Sequence, residues 1–246
     1  MFVPVRILQT HVKDMGAVAG LAPTLLWVNF AALSRIPRPS KQEEQVLAWL
    51  KEFADARSLE WQQDETGNII VRRPGSGGGE SAAGVVIQSH VDMVCEKNSD
   101  VEHDFGRDPI RLLRDGDWLT ADGTTLGADN GIGVATALAL LEMGGDARLP
   151  PLECLFTVDE ETGLTGAFAL DGAVLQGRTL LSLDTEEWGA ICIGCAGGGD
   201  SELALPVARE ASPGDFLSFQ LSVEGLMGGH SGVNIHEYRA NAIVLL

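Results

Sequence analysis

Three apolar runs in this chain end in acidic or imidazole-bearing tails, and they constrain the fold more than any other feature. They are GVVIQSHVDM (84–93), LECLFTVDEETG (152–163) and TLLSLD (179–184). Each reads as a strand that delivers polar side chains at its C-terminal end, where open α/β sheets place their chemistry. Between them lies NGIGVATALALLEM (130–143), an alanine-rich helix stopped by Gly144-Gly145. A short helix near 165–170 continues the alternation. Strands and helices in this order predict an α/β domain around a mixed, largely parallel sheet flanked by helices.

The flanking segments extend the pattern. Pro23 opens an amphipathic helix through Trp27, Phe30 and Leu33. Because residues 15–33 carry no charge, a secretory leader or membrane helix is the competing reading. Pro23 inside the run and Asp14 at its head favour the helix of a soluble protein. Ser40 and Glu43 are spaced as a capping box before the stripe Val46, Leu47, Leu50, Phe53 and Ala54. LEWQQ, the turn Thr66-Gly67-Asn68 and IIVRR predict paired strands, and Asp115-Gly116 marks a hairpin. The glycine-rich stretch 75–79 is expected to be a flexible surface loop. After about residue 197, SELALPV and FLSFQLSVEG alternate at period two and HEYRANAIVLL starts a helix. These predict the start of a smaller α+β lid domain.

The chain has 246 residues, enough for one large domain or two smaller ones, and 45% of them are hydrophobic. Its formal charge of −18 argues against nucleic acid and anionic membranes as partners. Cys192 and Cys195 form a single CxxC without the second pair a structural zinc site needs. Lying in a β-branched run followed by glycines, these two are expected to be buried strand thiols, and the count of four, with Cys95 and Cys154, suits a reducing cytoplasm.

Candidate chemistry gathers at the strand ends. His90 and Asp92, two residues apart, can serve one site, the imidazole through one nitrogen and the carboxylate as support for the other. Asp129 stands where a helix N-cap is favoured, and its charge can equally bridge cations. Gly131 and Gly133 resemble a nucleotide loop, but Thr136 replaces the third glycine and no phosphate-loop lysine is present. Glu160 and Glu161 repel each other unless a cation or proton compensates. One of them can hold metal while the other takes a proton from water. Asp184 closes another strand.

Taken together, SHVDM, NSDVEHDFGRDPI, GTTLGADNGIG, DEETGLTGAFAL, LDTEEWGAICIGCAGG and GLMGGHSG resemble the aminoacyl-histidine dipeptidases. These Xaa-His dipeptidases are metallopeptidases related to dizinc aminoacylases and carboxypeptidases. The resemblance covers roughly residues 25–246 and implies two Zn²⁺ ions, with Mn²⁺ or Co²⁺ as alternatives. It implies that His90 and Asp184 hold one ion, Asp129 bridges both and Glu161 holds the other. It further implies Glu160 as general base, Asp92 as support for His90, and His230 as a lid histidine that polarises the scissile carbonyl across a homodimer. The family's second ion takes another histidine near the end of a chain about twice this long. His11, His103 and His236 do not match its context.

The domains expected are an N-terminal extension (1–24), the first part of a catalytic domain (25–197) and a truncated lid (198–246). The function implied is zinc-dependent hydrolysis of dipeptides in the cytoplasm. The alternatives are an amide deacylase on the same scaffold and a truncated, non-catalytic fragment that lacks the distal ligand.

Overall fold

The computed structural model describes residues 16–185, 187–194, 201–229, 234 and 236–246. The chain divides into two units, Met1–Ile193 and Gly194–Leu246.

In the first unit a five-stranded sheet runs in the order β1-β2-β6-β3-β7. Its strands are β1 (Glu60–Gln63), β2 (Ile69–Arg73), β3 (Val85–His90), β6 (Leu152–Thr157) and β7 (Thr179–Ser182). The sheet is mixed. β6, β3 and β7 are parallel, and β2 and β1 extend them in antiparallel register. Strands β4 (Leu112–Asp115) and β5 (Trp118–Ala121) form a separate hairpin about Asp115-Gly116.

Helices α1 (Thr24–Leu33), α2 (Glu44–Asp55) and α3 (Ala128–Glu142) cover one face of the sheet. Leu33, Leu50, Phe53, Leu138 and Leu141 pack there against Ile69, Val71, Ile87, Cys154 and Phe156. The opposite face carries a smaller cluster of Ile70, Val86 and Leu155. It is covered by Leu170, Val174 and Leu175, which follow the short helix α4 (Thr165–Ala169). Every residue of β6 is buried, Glu153 and Thr157 included, which explains why its other four positions are all apolar rather than alternating. The crossover through α3 makes β3 and β6 parallel, so both strands end at the same edge of the sheet.

Several local expectations change. Ser40 and Glu43 form no capping box, because α2 begins at Glu44 with no side-chain bond at its N-cap. Both side chains turn towards residues 92 and 159 instead. The glycine stretch 75–79 is held rather than loose: Ser76 and Leu149 exchange backbone hydrogen bonds of 2.9 and 3.0 Å, and Gly79 is buried. Cys192 is an exposed free thiol outside any strand, and Cys195 lies outside the described residues. Residues 1–15 also lie outside them, but Val18 is fully buried in the first unit and Arg114 donates to the Ala19 carbonyl.

In the second unit, no strand forms among the described residues 201–229, and the final helix α5 is short (Ala242–Leu245). Alternation supplies the side-chain half of a strand, while its backbone bonds must come from a neighbour. Leu203, Leu205, Phe219 and Leu221 are exposed.

The core makes a chemical prediction. Burial pushes the Cys154 thiol up to about 12, and only the thiolate attacks alkylating reagents. Iodoacetamide at pH 8 is therefore expected to label Cys192 and to spare Cys154 until the chain is unfolded, as read by peptide mass mapping. Equal labelling of both thiols in the native chain would contradict this packing.

Candidate metal centre

The parallel trio builds the site. β3 ends at His90, which pairs in register with Thr157 at the end of β6. Residues 158–161 continue from β6, and Leu183 donates its amide to Gln88 at 3.0 Å before Asp184. Three strand ends thus open on one region.

His90 lies at its centre, with a fully buried side chain. Its Nδ1 sits 3.3 Å from Asp92 Oδ1 and 3.2 Å from the Asp92 carbonyl oxygen. Its Nε2 faces Asp129 Oδ1 at 2.9 Å, Asp184 Oδ1 at 3.6 Å and Glu160 Oε2 at 3.9 Å. Candidate ligand atoms of His90, Asp129 and Asp184 all lie within 4.8 Å of one another, and so do those of His90, Glu160 and Glu161. Among the described residues, no such group includes His103 or His236. His230 and His11 lie outside the described residues.

Charge explains the chemistry of this cluster. Burial pulls the His90 imidazole down, but hydrogen bonds to Asp129, Asp184 and Asp92 outweigh it and raise the pKa to about 12. Burial, reinforced by the charge of Asp129, raises Glu161 to about 7. Glu160 is raised too, first by burial. Asp184 is lowered, chiefly by its hydrogen bond to His90. For Asp92, burial pushes upward. The bonds from His90, the Glu160 amide, Ser40 and the Glu161 amide prevail and hold it at about 2. The cluster is a field of carboxylates that favours positive charge at its centre.

Asp129 does not cap its helix. Gly127 occupies the N-cap position of α3 in the left-handed region, and Asp129 and Asn130 have non-helical dihedrals. Asp129 is therefore free to meet His90, while Asn130 Nδ2 donates to Asp184 Oδ1 at 2.5 Å.

Sequence reasoning missed Arg38. Its buried guanidinium donates to the carbonyls of Val91 at 2.9 Å, Asp92 at 3.0 Å and Gly127 at 2.5 Å. Burial lowers its pKa to about 10, so it stays charged at neutral pH. Arg38 also explains two of the three glycines of GADNGIG. A Cβ at Gly131 would stand 2.9 Å from Arg38 Nη2, and one at Gly127 would overlap the same nitrogen. The only local signal was a cation between two prolines ahead of an amphipathic helix.

No protein-family model matches the sequence. Against curated proteins, the chain is 46% identical over 234 residues to the cytosol non-specific dipeptidase of Escherichia coli (strain K12). The chain is similar to that dipeptidase along nearly all of its own length. That match takes in 94% of this chain and 48% of the Escherichia coli protein, so the chain spans about half the length of the relative. Among solved structures, an aminoacylhistidine dipeptidase from Vibrio alginolyticus superposes with a TM-score of 0.72 at 43% identity. The match covers 92% of this chain and 46% of the Vibrio alginolyticus chain. Aminopeptidase PepT from Bacillus cereus ATCC 10987 gives a TM-score of 0.55 at 25% identity, over 66% of this chain and 43% of its own.

The packing around Arg38 is open to test. Gly127 has a φ of +70° and no room for a Cβ, whereas Gly145 has nothing within 4 Å of one. Gly127→Ala is expected to lower stability by at least about 1 kcal/mol, and Gly145→Ala to change it by less than about 0.5 kcal/mol. Urea midpoints measure both. Equal midpoints for the two variants would contradict the close approach of Arg38.

Proposed function

We propose that the chain carries the metal-binding and proton-transferring residues of a metal-dependent dipeptidase. The observation that supports this most is the buried His90 imidazole, held by Asp92 on one nitrogen and faced by Asp129, Asp184 and Glu160 on the other. The similarity to proteins named as dipeptidases supplies the substrate class.

The donor set suits divalent cations. Imidazole and carboxylate are ordinary ligands for Zn²⁺, and carboxylate-rich sites also take Mn²⁺ or Co²⁺. Asp92 beside Nδ1 fixes the ring so that Nε2 points at the acids, the usual support for a ligating histidine. In this reading His90 and Asp184 would hold one ion, Asp129 would be shared with a second, and Glu161 would be the second ion's other ligand from this chain, short of the three or four protein ligands usual for zinc. Divalent cations bound there would polarise the substrate carbonyl and acidify water at the site.

The chain's own residues then move the protons. Glu160, lifted above the usual carboxylate value by burial, accepts a proton from the attacking water. It returns that proton to the amine as the peptide C–N bond breaks. Asp92 keeps His90 and the amides of Glu160 and Glu161 in place throughout. His230 is proposed to polarise the scissile carbonyl from a lid domain that pairs two subunits. The name of the Escherichia coli relative supports a cytoplasmic location. Among the described residues, no helix is long and apolar enough to cross a membrane.

Turnover of dipeptides, including Xaa-His and β-alanyl-histidine, is expected to exceed that of N-acyl amino acids when the chain is supplied with Zn²⁺. Preference for the acyl compounds would make it a deacylase. Glu160→Gln is expected to keep bound zinc, read by elemental analysis, while kcat falls by about 10²–10⁴-fold. Loss of zinc in that variant would make Glu160 a ligand and exchange its role with Glu161. Zinc binding without any turnover by the wild-type chain would instead support a non-catalytic product.

A further inference from the structure

The spacing of Ser40 and Glu43 belongs to a helix cap, yet Glu43 stands at the N-cap of α2 without a side-chain cap bond, and Ser40 bonds elsewhere. Ser40 Oγ donates to Asp92 Oδ2 at 2.8 Å. Glu43 Oε1 accepts from the amides of Lys41 and Asp159, both at 3.0 Å. Asp92 accepts from the next two amides, Glu160 at 3.1 Å and Glu161 at 3.2 Å. Three successive backbone N–H groups, those of residues 159 to 161, are thus held by two buried carboxylates.

The loop they hold needs holding. Asp159 has a φ of +50°, in the left-handed region that is uncommon for any residue but glycine and that its surroundings hold here. Its side chain accepts from the hydroxyls of Thr162 and Thr165, and its carbonyl accepts from the Thr165 amide at 3.0 Å. Glu43, Asp92 and Asp159 bring carboxylate oxygens within 4.8 Å of one another, all buried. Each of these carboxylates has a donor from the chain itself, so the cluster acts as a holder of backbone.

We infer that Glu43 is a positioning residue for the proposed hydrolysis: by accepting the Asp159 amide it fixes the turn that aims Glu160 and Glu161 at His90. This rests on the metal-dependent reading of the site. Glu43 works with its neighbours on the segment 38–43, since Ser40 steadies Asp92 and Arg38 ties Val91 and Asp92 to Gly127. What Glu43 contributes is an acceptor oxygen at the right reach. Its negative charge, beside two other carboxylates, is dispensable.

The test is amide hydrogen exchange on the full chain, compared between loop peptides covering 159–163 and strand peptides covering 152–157, with Zn²⁺ titration calorimetry on the same samples. In Glu43→Ala the loop is expected to exchange at least about tenfold faster while β6 keeps wild-type rates, and zinc affinity to fall about 10–100-fold. Glu43→Gln retains an acceptor oxygen and is expected to restore both readings. Glu43→Asp, one methylene shorter, is expected to behave like Glu43→Ala and decides the matter if the alanine variant does not fold. Wild-type loop exchange in the alanine or aspartate variant overturns the inference. A Glu43→Gln variant as impaired as Glu43→Ala overturns it too, because charge would then be what matters. If wild type binds no zinc, the metal reading fails, and the exchange rates still decide the role of Glu43.

Discussion

The buried carboxylate of Asp92 is the constraint on which the rest of this site depends. It has no solvent exposure, and it meets His90 on one side and the amides of Glu160 and Glu161 on the other. A buried charge is tolerated only when its lone pairs are occupied. Here the donors come from two different strand ends and from Ser40. Satisfying Asp92 therefore brings the end of β3 and the loop after β6 into one geometry. Arg38 does the complementary work for carbonyls, joining residues 91 and 92 to the start of α3. Two buried charges of opposite sign thus organise backbone and leave the more exposed acids free to face His90 Nε2.

Those outer acids are kept in conflict. Asp129, Asp184 and Glu160 converge on one imidazole nitrogen, and Glu161 is raised to about 7 by burial and by its neighbours' charges. Like charges at such separations persist only with a compensating cation or proton. That is the physical basis for reading the cluster as a cation site, and it stands apart from any likeness to other proteins. The same conflict raises Glu160 as well as Glu161, and a raised pKa suits the base role proposed for Glu160, since such a carboxylate holds a proton more readily on its way to a leaving amine.

Much of this was legible in the sequence, for identifiable reasons. Strands β3, β6 and β7 are apolar runs with polar ends, so periodicity and the rule about C-terminal strand edges located His90, Glu160, Glu161 and Asp184 together. Asp129 could be placed only as a cap or a ligand, because an aspartate before a helix suits both. The choice depended on Gly127 taking the N-cap position. Ser40 and Glu43 misled for a similar reason: their spacing is that of a local pair, and their partners lie at residues 92 and 159. Arg38 was invisible because its three partners are backbone carbonyls far away in sequence. The strands expected after residue 200 failed on the converse point. Alternation at positions such as Leu217, Phe219 and Leu221 specifies a face, but a strand also needs a neighbour to bond.

The central claim is that His90, rather than some other acidic cluster, is where a divalent ion binds. Crystals of the chain soaked in Zn²⁺, with anomalous diffraction recorded at the zinc edge, test it most directly. The account predicts an anomalous peak about 2.0–2.1 Å from His90 Nε2, shared with Asp184 and Asp129. A peak seated instead among Glu43, Asp92 and Asp159, with none at His90, would contradict it.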